Sequence, residues 1–380
     1  MEKFRPITED AFGRQRVCEP HTLFDAHHRY KLSDKFYAVT ANGGTVTHLM
    51  NESTALLTIT TATGSSVVYE STTVQPYQPG KSLFIMLSFA MGSSVTNTTY
   101  KAGYFSTLNG IYFQVANGIA SIVKRNNGQE TSVSQNDWNM NKLKGVLDVS
   151  KTQIFWIDIE WLGVGRVRCG FNIGGVQIPC HSFFHANIEE GVYMTTATLP
   201  LRYELFSTGT ITGPRSMKQI CATVMSEGGT QIKTNIFSQD NKATLTVANT
   251  QYAVLSIRLK SSTLDAFVLL SEIDILLPTS GGNVRWRLYK NIQTVNGGLT
   301  WINHATSQFV EVSKSIGTIT TLGNAQLVTE GFAFERESFK FVSDYNQQLT
   351  RTTTADVYTL VLQNDAANKE VSVLMKWNEL

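Results

Sequence analysis

Alternation of apolar and polar positions with period two runs through most of this chain. In Gln153–Trp161, Phe155, Ile157, Ile159 and Trp161 fall on one face and Trp156, Asp158 and Glu160 on the other. Such a pattern predicts a strand buried on one side. Arg166–Ile173 repeats it, with Val167, Cys169, Phe171 and Ile173 inward and Arg166, Arg168 and Asn172 outward. Asn117-Gly118 between Gly110–Ala116 and Ile119–Arg125 predicts a hairpin with a type I′ turn. Gly174-Gly175 and Asn126-Asn127-Gly128 mark further turns, and no long amphipathic helix is legible. The second half continues in the same style at Ala253–Leu259, Val284–Leu288, Val357–Val361 and Val371–Trp377.

Many short strands at regular spacing predict an all-β chain of two successive jelly-roll or β-sandwich domains. The expected division is an extended N-terminal arm (1–30), a concanavalin-like jelly roll (31–214) and a second β-sandwich (215–380). The turn-rich stretch Thr208–Ser216 sets the later boundary.

Composition narrows the function classes. Of 380 residues, 16 % are charged, against about 25 % in an average soluble protein, and the net charge is +2. That balance argues against a polybasic nucleic-acid binder. The longest near-apolar run, Leu83–Met91, is far short of the roughly 20 residues that cross a bilayer. No partner of nucleic acid or membrane is therefore expected. The opening residues lack a secretory h-region, so synthesis in a cytoplasm with reduced thiols is expected.

Candidate chemistry is sparse. Trp156-Ile157-Asp158-Ile159-Glu160-Trp161 resembles the Glu-x-Asp-x-Glu catalytic strand of one large group of concanavalin-like glycoside hydrolases. There, alternate acids about 6.6 Å apart project from one strand face into a sugar cleft. Trp156 stands where that group has its nucleophile, so Asp158 and Glu160 are weak catalytic candidates, and a solvated strand face paired with Arg166 and Arg168 is the competing account. Trp156 itself, on the outward face, is a candidate glycan contact. Cys169, Cys180, His181 and His185 have no Cys-x-x-Cys spacing, so no metal or other cofactor is expected. Arg285 and Arg287 share one strand face.

The stretch Phe12-Gly13-Arg14-Gln15-Arg16-Val17, followed by Thr22-Leu23-Phe24-Asp25, resembles the opening of a family of virion structural proteins. These come from tailed bacteriophages, especially of aquatic hosts, and from some large DNA viruses. Asp137-Trp138-Asn139, Trp161–Val167, His185-Ala186-Asn187, Leu199–Glu204 and Cys221–Gly229 are similar to that family's recurring strings. The resemblance implies a virion protein made in the host cytoplasm, either a capsid-associated or decoration component, or a tail, fibre or baseplate adhesin that binds host glycans. A glycan depolymerase is the enzyme alternative. The resemblance carries no catalytic residue, so no enzymatic activity is expected. The partners implied are other virion proteins and further copies of the chain. Phe12, Arg14, Arg16, Leu23 and Phe24 are the expected anchors for a neighbouring subunit.

Overall fold

The computed structural model describes residues 9, 13, 15, 20–229, 234–277, 283–341 and 348–380. Two compact units divide the chain, Met1–Ile232 and Lys233–Leu380. Both are built from strands, and two 3-10 turns, Met50–Glu52 and Gln135–Asp137, are the helical elements among the described residues. No helix there is long and apolar enough to cross a membrane.

The first unit carries β1 (Pro20–Ala26), β2 (Phe36–Ala41), β3 (Thr45–Leu49), β4 (Thr54–Ile59), β5 (Ser66–Ser71), β6 (Ser82–Ala90), β7 (Thr98–Phe105) and β8 (Gly110–Ala116). It continues with β9 (Ile119–Asn126), β10 (Gln129–Ser134), β11 (Gln153–Ile159), β12 (Val167–Ile173), β13 (Val176–Phe183), β14 (Leu201–Ser207) and β15 (Arg215–Glu227). The front sheet runs β13-β12-β11-β6-β15-β4-β3, with β1 added on β15, and the back sheet runs β10-β9-β8-β7-β14-β5-β2. All pairs are antiparallel. Inward residues alternate along each strand, and rings interlock between the sheets. Phe113 of β8 lies 5.7 Å from Phe155 of β11 and 5.1 Å, edge-on, from Phe171 of β12. Such aromatic pairs add about 0.5–1.5 kcal/mol beyond their buried area.

The predicted hairpin forms between β8 and β9, with Asn117 at φ 50° and Gly118 at φ 81°. Two positive φ values are what a type I′ turn requires, and its twist matches that of the flanking strands.

The second unit carries β16 (Asn235–Leu245), β17 (Gln251–Leu259), β18 (Val268–Leu276), β19 (Val284–Lys290), β20 (Thr294–Val295) and β21 (Ile302–Asn303). β22 (Val310–Ser313), β23 (Gly317–Thr321), β24 (Gln326–Ala333), β25 (Arg336–Lys340), β26 (Tyr358–Asn364) and β27 (Lys369–Glu379) complete it. One sheet runs β16-β27-β18-β25 and the other β20-β23-β17-β26-β19-β24. Their shared core includes Leu255, Ile273, Trp286, Leu360, Met375 and Trp377. The fold class expected from the alternation, successive β-sandwiches, is the one observed.

Two boundaries differ from expectation. The division falls at 232/233 rather than near residue 214. The turn-rich stretch before Arg215 is a crossover inside one sandwich, because it carries the chain from β14 in the back sheet to β15, which lies within the front sheet. The stretch expected as an arm over residues 1–30 also contains a strand. Pro20–Ala26 is a strand of the front sheet, paired with β15 from Pro20↔Glu227 to Ala26↔Ala222.

Candidate functional site

β11 lies between β6 and β12, and its register opposes Asp158 to Phe84 and Arg168, and Trp156 to Met86 and Gly170. Phe155 and Ile157 point into the core, so Trp156 and Asp158 stand on the outer face of the front sheet. That face is not solvated here. Asp158 is 1 % exposed and Glu160 is fully buried.

Each acid is committed to neighbours. The Arg168 Nε–H donates to Asp158 Oδ2 at 2.8 Å, and Arg168 Nη2 donates to the same oxygen and to the backbone carbonyl of Glu9. Tyr77 Oη–H donates to Glu160 Oε1 at 2.9 Å, while Tyr193 Oη–H donates to the Glu160 carbonyl at 3.1 Å. The Leu162 N–H closes the group by donating to Tyr77 Oη at 3.2 Å. Burial, and then the adjacent Glu160 charge, push the Tyr77 hydroxyl well above the ordinary tyrosine range. A glycosidase needs one carboxyl facing the leaving oxygen and another facing the anomeric carbon or a water. Neither acid here offers such an open face. The pairing with Arg168 weighed from the sequence is present, but the expected solvated face is not.

Trp156 is likewise corrected. It is 1 % exposed, its ring lies 6.0 Å from that of Phe84, and its Cζ2 would be 2.4 Å from a Cβ added at Gly170. The glycine leaves the space that the indole fills. A ring packed in this way has no face for a sugar. Period two identified the outer face correctly, but it carries no information about what covers that face.

The expected subunit anchors separate into two groups. Phe12, Arg14 and Arg16 lie outside the described residues. Leu23 and Phe24 are 6 % and 5 % exposed, packed into their own sandwich rather than offered to a neighbour. Phe24 meets Phe36 edge-on at 5.8 Å, and Lys35 Nζ sits 5.5 Å from the Phe24 ring centre.

The Cys/His group also belongs to the packing. Cys169 and Cys180 are buried thiols, and burial pushes both up, Cys180 to about 12. Burial brings His181 down to about 4. His185 is also lowered by burial; it stacks on Tyr193 at 3.8 Å with its Nδ1 2.6 Å from the Gly165 carbonyl. A carbonyl can only accept, so that nitrogen carries the proton. Among the described residues, no group of three or more His, Cys, Asp or Glu is arranged to hold a metal ion. In the second unit, Arg285 and Arg287 converge on Glu330 at 2.7 and 3.1 Å.

The densest polar arrangement was missed by the sequence reading. On the outer face of the back sheet, Glu130 (β10), Arg125 (β9), Lys101 (β7), Arg202 and Glu204 (β14) and Glu70 (β5) form a continuous charge ladder. Arg125 Nε donates to Glu130 at 3.2 Å, and Lys101 Nζ lies 3.4 Å from Glu130 and 3.8 Å from Glu204. Arg202 bridges Glu204, at 2.6 Å, and Glu70, which also accepts from Tyr37 Oη at 2.8 Å. The cations sit over aromatic rings, with Arg125 5.1 Å and Lys101 5.1 Å from the Tyr112 ring centre and Arg202 5.7 Å from that of Phe105. Gly103 and Gly110 make room for this layer, since a Cβ at either would come within 2.5 Å of Tyr112 or Phe105 atoms. Desolvation opposes ionisation of Glu130, but the hydrogen bonds from Arg125 and Tyr112 and the charges of Lys101 and Arg125 outweigh it, bringing the carboxyl down to about 2. The outward pair Arg202-x-Glu204 was the visible signal; its partners lie on strands far away in sequence.

No family model matches the chain, and no curated protein matches it. Among solved structures, a Bacillus licheniformis β-glucanase is similar at 9 % identity over 54 % of this chain and 97 % of that one, with a TM-score of 0.36. Peanut lectin is similar at 10 % identity over 57 % and 99 %, with a TM-score of 0.35. The CBM2 module of the evolved Dit of Lactobacillus casei BL23 phage J-1 is similar at 6 % identity over 57 % and 99 %, with a TM-score of 0.37.

Proposed function

We propose that this chain is a non-catalytic structural component of a virus particle, held there by contacts of its sandwiches with neighbouring particle proteins. The virion role is supported by the resemblance of the Phe12–Asp25 segment and the later strings to a family of virion structural proteins. The observation that carries the non-catalytic part is the commitment of the acid pair. Asp158 is ion-paired with Arg168, and Glu160 is buried beneath Tyr77. A buried, hydrogen-bonded carboxylate holds structure together and has no access to substrate.

Two measurements test the reading. Mass spectrometry of purified particles, followed by antibody labelling in electron micrographs, is expected to find the chain at a repeated position on the particle. Absence from the particles overturns the virion role. Incubating the purified protein with host surface polysaccharide is expected to release no new reducing ends, and release that is lost in Asp158→Asn or Glu160→Gln overturns the non-catalytic role. Retention on a host-glycan array selects the adhesin position over the shell.

A further inference from the structure

His28 is fully buried at the point where the chain leaves β1 for β2, and it is held from both sheets. From the front sheet, the Gln219 side chain of β15 meets its Nε2. From the back sheet, the rings of Phe36 (β2) and Tyr69 (β5) lie 6.4 and 6.1 Å away. Its Nδ1 receives the Ser33 backbone N–H at 3.0 Å, and its own carbonyl is 2.6 Å from His48 Nε2 of β3. A backbone N–H can only donate, so Nδ1 must be the unprotonated nitrogen, and Nε2–H donates to the Gln219 carbonyl oxygen. This geometry accepts only the neutral imidazole.

We propose that His28 is an acid-sensitive latch that holds β1 in the front sheet. A second proton has one place to go, Nδ1, where it points at the Ser33 N–H. Protonation therefore replaces a hydrogen bond with two opposed donors inside a buried site, a change that favours opening of the 27–35 turn. β1 is the element released, because its link to β2 runs through that turn and, among the described residues, β15 is the strand it pairs with.

The charged and titratable surroundings favour the neutral ring. The neighbouring His48 and His27 both disfavour a charged His28. Tyr69 and Tyr203 face the site from the back sheet, and burial pushes both hydroxyls above the ordinary range. Gln219 of β15 is neutral, while Lys31 is paired with Asp34 at 2.5 Å and Lys35 with Asp25 at 3.0 Å. Burial is the largest cause of the lowered His28 value.

Hydrogen exchange of the full chain between pH 7.5 and 5, corrected for intrinsic exchange rates, tests the latch. With one proton taken up on opening, the opening constant of the His21–Ala26 amides is expected to rise about tenfold per pH unit below about pH 6.5. The β8 and β9 amides of the same unit, far from the latch in the sheet order, serve as the internal reference for global opening. In His28→Phe, which keeps a ring between the sheets but cannot titrate, the β1 slope is expected to vanish. A flat wild-type profile, or an unchanged slope in His28→Phe, overturns the proposal. Should that variant fail to fold, imidazole NMR of the wild type decides. Opening of β1 must follow the titration of His28, and opening while His28 stays neutral overturns it.

Discussion

Arg202 is the position at which the outer charge ladder can be broken most cleanly. Its guanidinium sits between two carboxylates whose side chains are 3 % (Glu70) and 11 % (Glu204) exposed. Burial alone would lower its affinity for the proton, but the two carboxylates beside it reverse the direction and raise it. Arg202→Leu keeps much of the volume over Phe105 and removes the charge. Two carboxylates then share a nearly dry site, with Lys101 3.8 Å from Glu204 as the remaining cation beside that residue. Removing one partner of a buried ion pair costs about 3–5 kcal/mol, a large share of the 5–15 kcal/mol that a domain has in total. For a unit of this size that corresponds to roughly 6–20 °C in melting temperature. Hydrogen exchange of the β7 and β14 amides reads the first unit separately from the second. The triple variant Glu70→Gln, Arg202→Met, Glu204→Gln is expected to recover most of the loss, since well-packed neutral replacements of a buried network are often close to neutral in stability. Arg336→Ala is the surface control. Its pair with Asp274 involves an arginine side chain that is 69 % exposed, and such pairs contribute about 0–1 kcal/mol. If Arg202→Leu cost no more than Arg336→Ala, the ladder would be hydrated in solution and the reasoning refuted.

Further outcomes follow from single groups. His181 is lowered to about 4 by burial, so the unfolded chain binds more protons between about pH 6.5 and 4. Stability is complete above that window and falls as pH drops through it; in His181→Gln a calorimetric pH series is expected to be flatter there, and an unchanged slope contradicts the assignment. Gly170→Ala places a Cβ 2.1 Å from the Ile178 carbonyl and 2.4 Å from Trp156 Cζ2. A loss of about 1–3 kcal/mol is expected from such overpacking, with a change in Trp156 emission, and an unperturbed chemical melt counts against the packing described. Burial raises all three thiols, but Cys221 is exposed whereas Cys169 and Cys180 are buried. Iodoacetamide is therefore expected to modify Cys221 in the folded chain and the other two only after unfolding, as read by peptide mapping.

Strand existence and inward faces were legible because period two depends only on local geometry. Gln153–Trp161 and Arg166–Ile173 became β11 and β12, and Asn117-Gly118 became the expected turn. What failed is what local geometry leaves out. The outward side of β11 was read as solvated, and it is buried because Arg168, ten residues on, and Tyr77, eighty-three residues back, close over the acids. The stretch before Arg215 has linker chemistry, yet it joins two sheets of one sandwich, a distinction that only pairing partners reveal. Leu23 and Phe24 carry no mark that tells an interface anchor from a core residue, since both uses require the same apolar surface.

The low charge of the chain acquires a different meaning once its charges are located. Glu70, Lys101, Lys124, Arg125, Asp158, Glu160, Arg168, Glu204 and Arg287 are all under 10 % exposed. Charges that alternation alone assigns to the surface are held instead in ion pairs and hydrogen bonds, such as Arg202 with Glu70, Arg168 with Asp158 and Lys124 with Glu189. The surface left to solvent is therefore poorer in charge than the composition suggests, and it includes isolated apolar side chains such as Ile119, Ile188, Ile236 and Phe334, each at least 60 % exposed. Apolar side chains exposed singly are ordinary on a folded surface, so the pattern says less about docking than about the sheets themselves: the charges missing from the solvent side are the ones that tie neighbouring strands together.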